Sequence, residues 1–190
     1  MIQKKETELN TQSVLSMKGS GYYSQKTVGA KDAIDSIQDL VAASVSCLPK
    51  TEVLRFADFG SADGGTSQQF WYKLLKKLRE SGDNRPVEIL YTDLASNDFS
   101  TLFKTMQGLG EREEYAYQKL FENIFVHGCG TGFHQQLMSS GTLSMGFSAT
   151  AMHYVSEKPC HIEEHVHMVG ANQQERKKFE DQAARDLEAI

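Results

Sequence analysis

Apolar and polar residues follow one another along this chain in blocks that predict a strand, a tight turn and a helix. The apolar run at residues 53–59, V-L-R-F-A-D-F, predicts a buried strand with an acid near its end. Residues 60–65, G-S-A-D-G-G, predict a glycine-rich turn. A stripe with helical spacing then predicts a helix: Phe70, Trp71, Leu74, Leu75 and Leu78. This unit is typical of the start of a nucleotide-type binding fold.

The rest of the chain repeats this alternation of strands and helices. Further strands are predicted at residues 87–92, 124–126 and 145–147. Further helices are predicted at residues 31–48, 98–107, 111–120 and 173–190. The face of the first of these would be formed by Ile34, Ile37, Leu40, Val41, Val45 and Leu48. Such alternation predicts an α/β fold with a doubly wound, mostly parallel sheet.

The length of 190 residues predicts one domain with short additions at its ends. Residues 1–16 predict a polar lead-in, residues 17–170 a ligand-binding domain, and residues 171–190 a charged C-terminal helix. The apolar stripe of this last helix is thin and consists of Phe179, Ala183 and Leu187. We therefore expect a surface or partner-facing helix at the end of the chain.

The glycine-rich turn is a candidate ligand loop. Gly60 and Gly64 have no Cβ, so the backbone could bend sharply there and approach a ligand. The spacing of Gly60, Gly64 and Gly65 matches neither the dinucleotide fingerprint nor a P-loop, so a diphosphate ligand is not indicated. An acid at the strand end, Asp58, suits a cationic ligand such as S-adenosylmethionine. The alternative is a plain strand–helix turn without a ligand.

A second acid closes the next predicted strand. Asp93 follows residues 87–92, and an acid at the end of the second strand of a nucleotide fold accepts hydrogen bonds from ribose hydroxyls. Asp58 and Asp93 would then lie at the ends of neighbouring parallel strands. The structural alternative is that Asp93 caps the helix at residues 98–107, although Asn97 or Asp98 is better placed for that role.

Composition narrows the function classes. The net charge is −5, with 24% charged residues and no basic, aromatic-rich cluster, so a nucleic-acid partner is not predicted. No apolar run is long enough for a membrane span, and residues 1–10 lack a signal core. Cys47, Cys129 and Cys160 are widely separated and odd in number, which favours a reducing compartment, and we expect a cytoplasmic protein.

Several motifs, in order, resemble the SABATH family of plant-type carboxyl and N-methyltransferases. The blocks share order and spacing with that family: V-L-S-M-K-G-S-G-Y-Y-S (14–24), A-D-F-G-S-A-D-G-G-T-S (57–67), Y-T-D-L-A-S-N-D-F-S-T-L-F (91–103), G-T-G-F-H-Q-Q-L (130–137) and T-L-S-M-G-F-S-A-T-A-M-H-Y-V-S (142–156). The resemblance implies a Rossmann-like methyltransferase fold, S-adenosyl-L-methionine as cofactor, and in-line methyl transfer to a small molecule.

The resemblance also implies a set of cofactor-binding residues. They are Tyr23, Thr27, Asp58, Gly60, Asp93, Leu94, Gly132 and Phe133. Within this set, Asp93 would hold the ribose, and Leu94 would lie beside the adenine. Gly132 and Phe133 replace a Ser-Phe pair at the adenine, so a serine hydroxyl is lost. Tyr23 matches a tyrosine near the cofactor, and Thr27 a serine that helps to hold the methionine carboxylate.

The acceptor side departs further from the family. His153 and Tyr154 occupy the His-Trp positions of the acceptor pocket, Thr150 replaces a pocket tyrosine, and Ala30 replaces the glutamine that grips the acceptor carboxylate. A small-molecule acceptor is still implied, with a carboxyl, amine or hydroxyl group. A carboxylate needs no base, whereas an amine or phenol would need one, for which His153 is the candidate. His153 could equally be a pocket wall.

Family members continue with further strands and a helical cap, so the resemblance implies that this chain corresponds to their N-terminal portion. A sheet without those strands would expose an edge and an apolar face, which a second copy of the chain could cover as a homodimer. A cofactor-binding form without turnover, which needs a missing cap or partner chain, is therefore an alternative function.

A third function class comes from H-I-E-E-H at residues 161–165. It fits the H-x-x-E-H pattern of inverted zinc proteases, in which His161 and His165 would share one helix face. No third ligand is evident downstream of His167, so a solvated histidine cluster without metal is favoured over a zinc hydrolase.

Overall fold

The computed structural model describes residues 28–110 and 112–190. Within them the chain forms helices, numbered α1 to α6, at Val28–Ser36, Gln38–Ser44, Gln68–Glu80, Phe99–Met106, Tyr117–Leu120 and Gln173–Ala189. Strands β1 to β4 lie at Leu54–Phe59, Val87–Thr92, Ile124–Cys129 and Met145–Phe147. Short 3-10 turns occur at Val45–Cys47, Glu113–Tyr115 and Met168–Gly170. The strand–turn–helix unit predicted at residues 53–78 is thus β1, its turn and α3.

The four strands form one parallel sheet in the order β3-β2-β1-β4. The chain advances from β1 through β2 to β3, then returns to the other side of β1. This reversal is the topology of a doubly wound sheet, and it places a switch point between β1 and β4. Ligands of open α/β sheets bind outside the carboxyl ends of the strands at such a point. The predicted α/β fold class is therefore confirmed.

The core lies between one face of the sheet and α3, α4 and the segment after α1. Alternate residues of β1 and β2 are fully buried on this face, since side chains of a strand point to opposite faces in turn. The ring of Phe56 stacks on Trp71 at 5.7 Å, and Phe70 stacks on Phe147 at 4.1 Å. Large aromatic rings at these separations fix how α3 lies across β1 and β4.

The other face of the sheet carries both an ion pair and an exposed aromatic ring. Arg55 of β1 pairs with Glu88 of β2 at 2.7 Å, and both side chains are over a third exposed. Phe125 of edge strand β3 is 49% exposed. β4, the other edge, is only three residues long. Short edge strands offer little unpaired backbone to a neighbouring chain.

The predicted helix at residues 31–48 is wrong as a single element. The chain leaves helical geometry at Ile37, with φ −100° and ψ 3°, and a separate helix starts at Gln38. The break rotates the second helix relative to the first. Ile34 is consequently buried while Leu40, predicted on the same face, is 74% exposed. Val41, Val45 and Leu48 do pack against the core.

The C-terminal helix is also oriented differently from its predicted stripe. Leu187 is 70% exposed, whereas Gln182 and Asp186 are 5% and 7% exposed. Its start is set by Asn172, whose side chain accepts hydrogen bonds from the backbone N–H groups of Gln174 and Glu175. A polar pair, not an apolar stripe, is thus the most buried part of α6.

We predict that Tyr117→Phe lowers the free energy of unfolding by about 1–2 kcal/mol. The hydroxyl groups of Tyr91 and Tyr117 lie 2.6 Å apart in the core, and removing one leaves the other without its hydroxyl partner. Urea denaturation followed by fluorescence of the single tryptophan, Trp71, measures the change. Tyr115→Phe, at a half-buried ring, is the control. An equal loss in both variants would contradict the assignment.

Candidate functional site

The two predicted acids meet at the carboxyl edge of the sheet. Asp58 pairs in register with Tyr91 of β2, and Asp93 follows the last residue of that strand. The two carboxylates are close enough for the charge on Asp93 to contribute to the raised pKa of Asp58. Parallel strand pairing therefore brings both acids to one edge, as the sequence predicts.

The Asp93 carboxylate is held by backbone N–H groups on both of its oxygens. Ala62 donates to Oδ2 and Leu94 donates to Oδ1, each at 2.7 Å. Burial raises the pKa of Asp93, and these two hydrogen bonds oppose the rise. Asp98, not Asp93, caps α4, since its side chain accepts from the backbone of Thr101. Asp93 is therefore not the helix cap. Its carboxylate is instead oriented by Ala62 in the turn after β1 and by its own neighbour Leu94.

Asp58 is fixed from the opposite direction, by α3 and the residue before it. Its Oδ2 accepts from the Ser67 hydroxyl at 2.6 Å and from the Trp71 indole at 2.8 Å. Burial raises the pKa of Asp58 from 3.8 to about 6, although these hydrogen bonds lower it. Ser67 and Trp71 were missed as site residues because Trp71 belongs to an apolar stripe, which indicates only core packing.

Two glycines of this turn, Gly60 and Gly64, have a left-handed backbone, and neither position has room for a side chain. Gly60 has φ +74°, and a Cβ there would lie 2.3 Å from Cβ of Ala151. Gly64 has φ +71°, but its missing Cβ makes room for Met106 of α4, whose Cε would be 2.5 Å away. At both positions another part of the protein fills the space that a side chain would need, so the two glycines permit close packing of the turn. The approach of a ligand to this backbone stays a prediction.

The loop after β3 lies beside this turn. The position that a Cβ of Gly60 would take is 3.6 Å from Cε1 of Phe133, and that of Gly132 is 3.9 Å from Cδ2 of Leu94. Leu94 is 42% exposed. Residues predicted from three separate stretches of sequence are thus gathered at one place, with the exposed side chain of Leu94 next to the Asp93 carboxylate.

The predicted acceptor residues follow β4 at the same edge. Ala151 is buried against Gly60, while His153 and Tyr154 are exposed with ring centroids 4.2 Å apart. Thr150 adopts a left-handed backbone, φ +59°. This conformation is uncommon for a β-branched residue and turns the chain away from the strand direction. The predicted cofactor residues Tyr23 and Thr27 lie outside the described residues.

The histidine-rich stretch does not form the helix that a zinc-protease motif needs. Residues 161–167 are irregular, and His161 and His165 are exposed. Nδ1 of His165 accepts from the backbone N–H of His167 at 2.9 Å. In the described part of the chain, no three His, Cys, Asp or Glu side chains are grouped to hold a metal ion. The zinc-hydrolase alternative loses the helix on which it was based.

Comparison with known proteins decides the family. Residues 12–190 match the model of the SAM-dependent carboxyl methyltransferases. The chain belongs to this family. The resemblance seen in the sequence motifs is thereby confirmed.

Relatives come from fungi and plants. Methyltransferase FUS9 of Gibberella moniliformis is 29% identical over 177 residues, 90% of this chain and 45% of that protein. Probable 7-methylxanthine methyltransferase 5 of Theobroma cacao is 30% identical over 129 residues, 65% of this chain and 34% of that protein. Gibberellic acid methyltransferase 1 of Arabidopsis thaliana is 25% identical over 206 residues, 96% of this chain and 53% of that protein.

The fold is shared with a solved structure of loganic acid methyltransferase with SAH. The TM-score is 0.69 at 19% identity, over 91% of this chain and 52% of that one. This chain thus spans between about a third and about half of the length of these relatives. None of its described helices has the length and apolar character that crossing a bilayer requires.

We predict that Gly60→Ala destabilises the fold by at least about 2 kcal/mol more than Gly82→Ala. Both glycines have positive φ, at +74° and +84°, so both substitutions carry a similar backbone cost of about 1 kcal/mol. Only the Cβ at position 60 meets a rigid neighbour, Ala151, whereas nothing lies within 4 Å at position 82. Urea unfolding of the two variants measures the difference, and equal losses would disprove the close packing of the turn.

Proposed function

We propose that this chain binds S-adenosyl-L-methionine at the carboxyl edge of β1 and β2 and supports methyl transfer to a carboxyl group of a small molecule. The observation that carries the proposal is the Asp93 carboxylate, held by two backbone N–H groups at 2.7 Å beside exposed apolar surface. An oriented acid at the end of the second strand is suited to accept hydrogen bonds from a ribose diol. Family membership supports the same cofactor.

The residues present fit this cofactor in charge and in polarity. Leu94, which is 42% exposed, and Phe133, beside the glycine turn, offer apolar contact to an adenine. Asp58 and Asp93 supply negative charge near the sulfonium and ammonium groups. By the family resemblance, Tyr23 would lie near the cofactor and Thr27 would help to hold its methionine carboxylate. The turn contains no cluster of basic side chains, which agrees with a ligand that lacks a diphosphate.

The cofactor, when bound, supplies a methyl group that is already activated on sulfur. The protein then needs to hold the acceptor in line with that methyl group and to keep water away. We assign this role to the segment after β4, where His153 and Tyr154 lie exposed and Thr150 turns the chain. For a carboxylate acceptor no proton has to move. For an amine or hydroxyl acceptor, His153 would take the proton at a ring nitrogen.

The names of the relatives leave the acceptor open between these groups. One of them acts on gibberellic acid and another, by its name, on a methylxanthine. We favour an acid as the acceptor, because the family model is that of carboxyl methyltransferases.

We further propose a cytoplasmic protein, in keeping with three free cysteines. A homodimer is proposed from the exposed Phe125 on edge strand β3.

We predict that Asp93→Ala weakens binding of S-adenosylhomocysteine at least about tenfold, since the variant removes the acceptor proposed for the ribose hydroxyls. Isothermal titration calorimetry measures the affinity. Glu122→Ala is the matched control, because it removes the same charge just before β3, at the opposite edge of the sheet, and should change affinity less than about twofold. Wild-type protein that gives no heat at millimolar ligand would refute the proposed function.

We also predict that affinity for S-adenosylhomocysteine rises about tenfold from pH 5 to pH 7.5. The pKa of Asp58 in the free protein is about 6, so the carboxylate that attracts the ligand's ammonium forms only above that pH. At pH 6, titration in two buffers of different ionisation enthalpy should show release of about half a proton per ligand bound.

Asp58→Asn is the control that attributes this pH dependence to Asp58. The variant keeps an oxygen for Ser67 and Trp71 but cannot ionise. Its affinity should be weaker at pH 7.5 and nearly constant down to pH 5. A wild-type pH dependence that survives unchanged in Asp58→Asn would show that another group is responsible.

A further inference from the structure

One buried acid of the C-terminal helix is hydrogen-bonded to the segment after β4. Asp186 is 7% exposed, and its carboxylate accepts from the backbone N–H and the hydroxyl of Ser156, each at 2.7 Å. Gln182, one turn earlier on α6, donates to the same carboxylate at 2.8 Å and to Ser156 Oγ at 2.9 Å. Three side chains thus close a hydrogen-bonded cluster between α6 and the segment after β4.

The same carboxylate faces the loop after β3. Nε2 of His134 lies 3.9 Å from Oδ2 of Asp186, within ion-pair range when the imidazole is protonated, and both side chains are largely buried. The ring of His134 packs against Phe133, with centroids 4.5 Å apart. Asp186 therefore touches both loops that flank the candidate site: one bears Phe133, and the other runs from Thr150 to Ser156.

The charge on Asp186 is retained despite its burial. Burial raises the pKa of Asp186, but hydrogen bonds from Ser156 and Gln182 and the nearby His134 outweigh it, so the pKa is lowered overall. A buried carboxylate with several directional partners fixes geometry more narrowly than apolar contact does, because each lost partner leaves a charge unsatisfied. The exposed Leu187 adds little to the same attachment.

We propose that Asp186 is a positioning residue, which holds the adenine-side loop at Phe133–His134 and the acceptor-side segment ending at Ser156 in fixed relation to each other. The inference rests on the proposed function, because it assigns those two loops to cofactor and acceptor. Neither the apolar stripe of α6 nor the motifs of the cofactor site indicate this link. Because Asp186 links the two loops, a ligand that binds against the first loop changes the environment of His153 in the second.

The experiment combines binding and a spectroscopic signal. S-adenosylhomocysteine is titrated into wild-type protein and the variants Asp186→Asn, Ser156→Ala and Asp181→Asn. Affinity is measured by calorimetry, and the ring signals of His134 and His153 are followed by NMR. Asp181→Asn is the control, because it removes the same charge from an exposed position of α6 that pairs with Lys177.

In wild-type protein the ligand should shift the ring signals of both histidines. Asp186→Asn should weaken affinity about tenfold and abolish the shift at His153, while the shift at His134 remains at saturation. Ser156→Ala keeps the backbone hydrogen bond and should lose about threefold. Asp181→Asn should match wild type within about twofold. If Asp186→Asn does not fold, Ser156→Ala alone carries the test.

Two outcomes would overturn the proposal. One is a set of variants that are less stable but bind the ligand like wild type and show the full shift at His153, which would make the cluster purely structural. The other is a His153 signal that does not respond to ligand in the wild type. Failure of the proposed function looks different, because wild-type protein would then bind no S-adenosylhomocysteine at all.

Discussion

The parallel register of β1 with β2 is the constraint on which the candidate site depends. Asp58 pairs with Tyr91, so Asp93, two residues beyond Tyr91, is carried to the same edge of the sheet. A shift of one residue would turn the side chains of β2 to the opposite faces and separate the acids. The register is held by the buried side chains of both strands on the α3 face and by Arg55–Glu88 on the other. The same strand register therefore determines both how the core packs and where the two acids of the site lie.

Holding two acids together has a cost in stability. The donors to Asp58 Oδ2, Ser67 and Trp71, are neutral, and burial together with Asp93 raises the pKa of Asp58 to about 6. A carboxyl whose pKa rises on folding stabilises the fold at low pH, and this contribution is lost as the pH rises from 3.8 to about 6. The loss amounts to roughly 3 kcal/mol. The proposed cationic ligand would recover part of this loss.

Much of this arrangement could be predicted from the sequence, and the reasons differ between elements. β1, its glycine turn and α3 follow from local rules: a buried run, a positive-φ position and an apolar stripe. Asp98 as the cap of α4 follows equally from local chemistry. The break at Ile37 could not be predicted, because both halves of residues 31–48 have helical periodicity and only packing against the sheet decides their orientation. The close packing at Gly64 could not be predicted either, because the atom that fills the space beside it, Met106 Cε, is 42 residues away in sequence.

The position of α6 is the clearest case of a feature that could not be predicted from local sequence. An apolar-stripe argument selects Phe179, Ala183 and Leu187, yet the buried residues are Gln182 and Asp186, one turn apart on a neighbouring face. Polar side chains give no periodic signal for burial, since their burial becomes favourable only when partners on other segments satisfy them. Those partners, Ser156 and His134, lie 30 and 52 residues earlier in the chain. Directional hydrogen bonds from Ser156 and Gln182 to Asp186 therefore fix the position of α6 more narrowly than the half-buried Phe179 and Ala183 alone could.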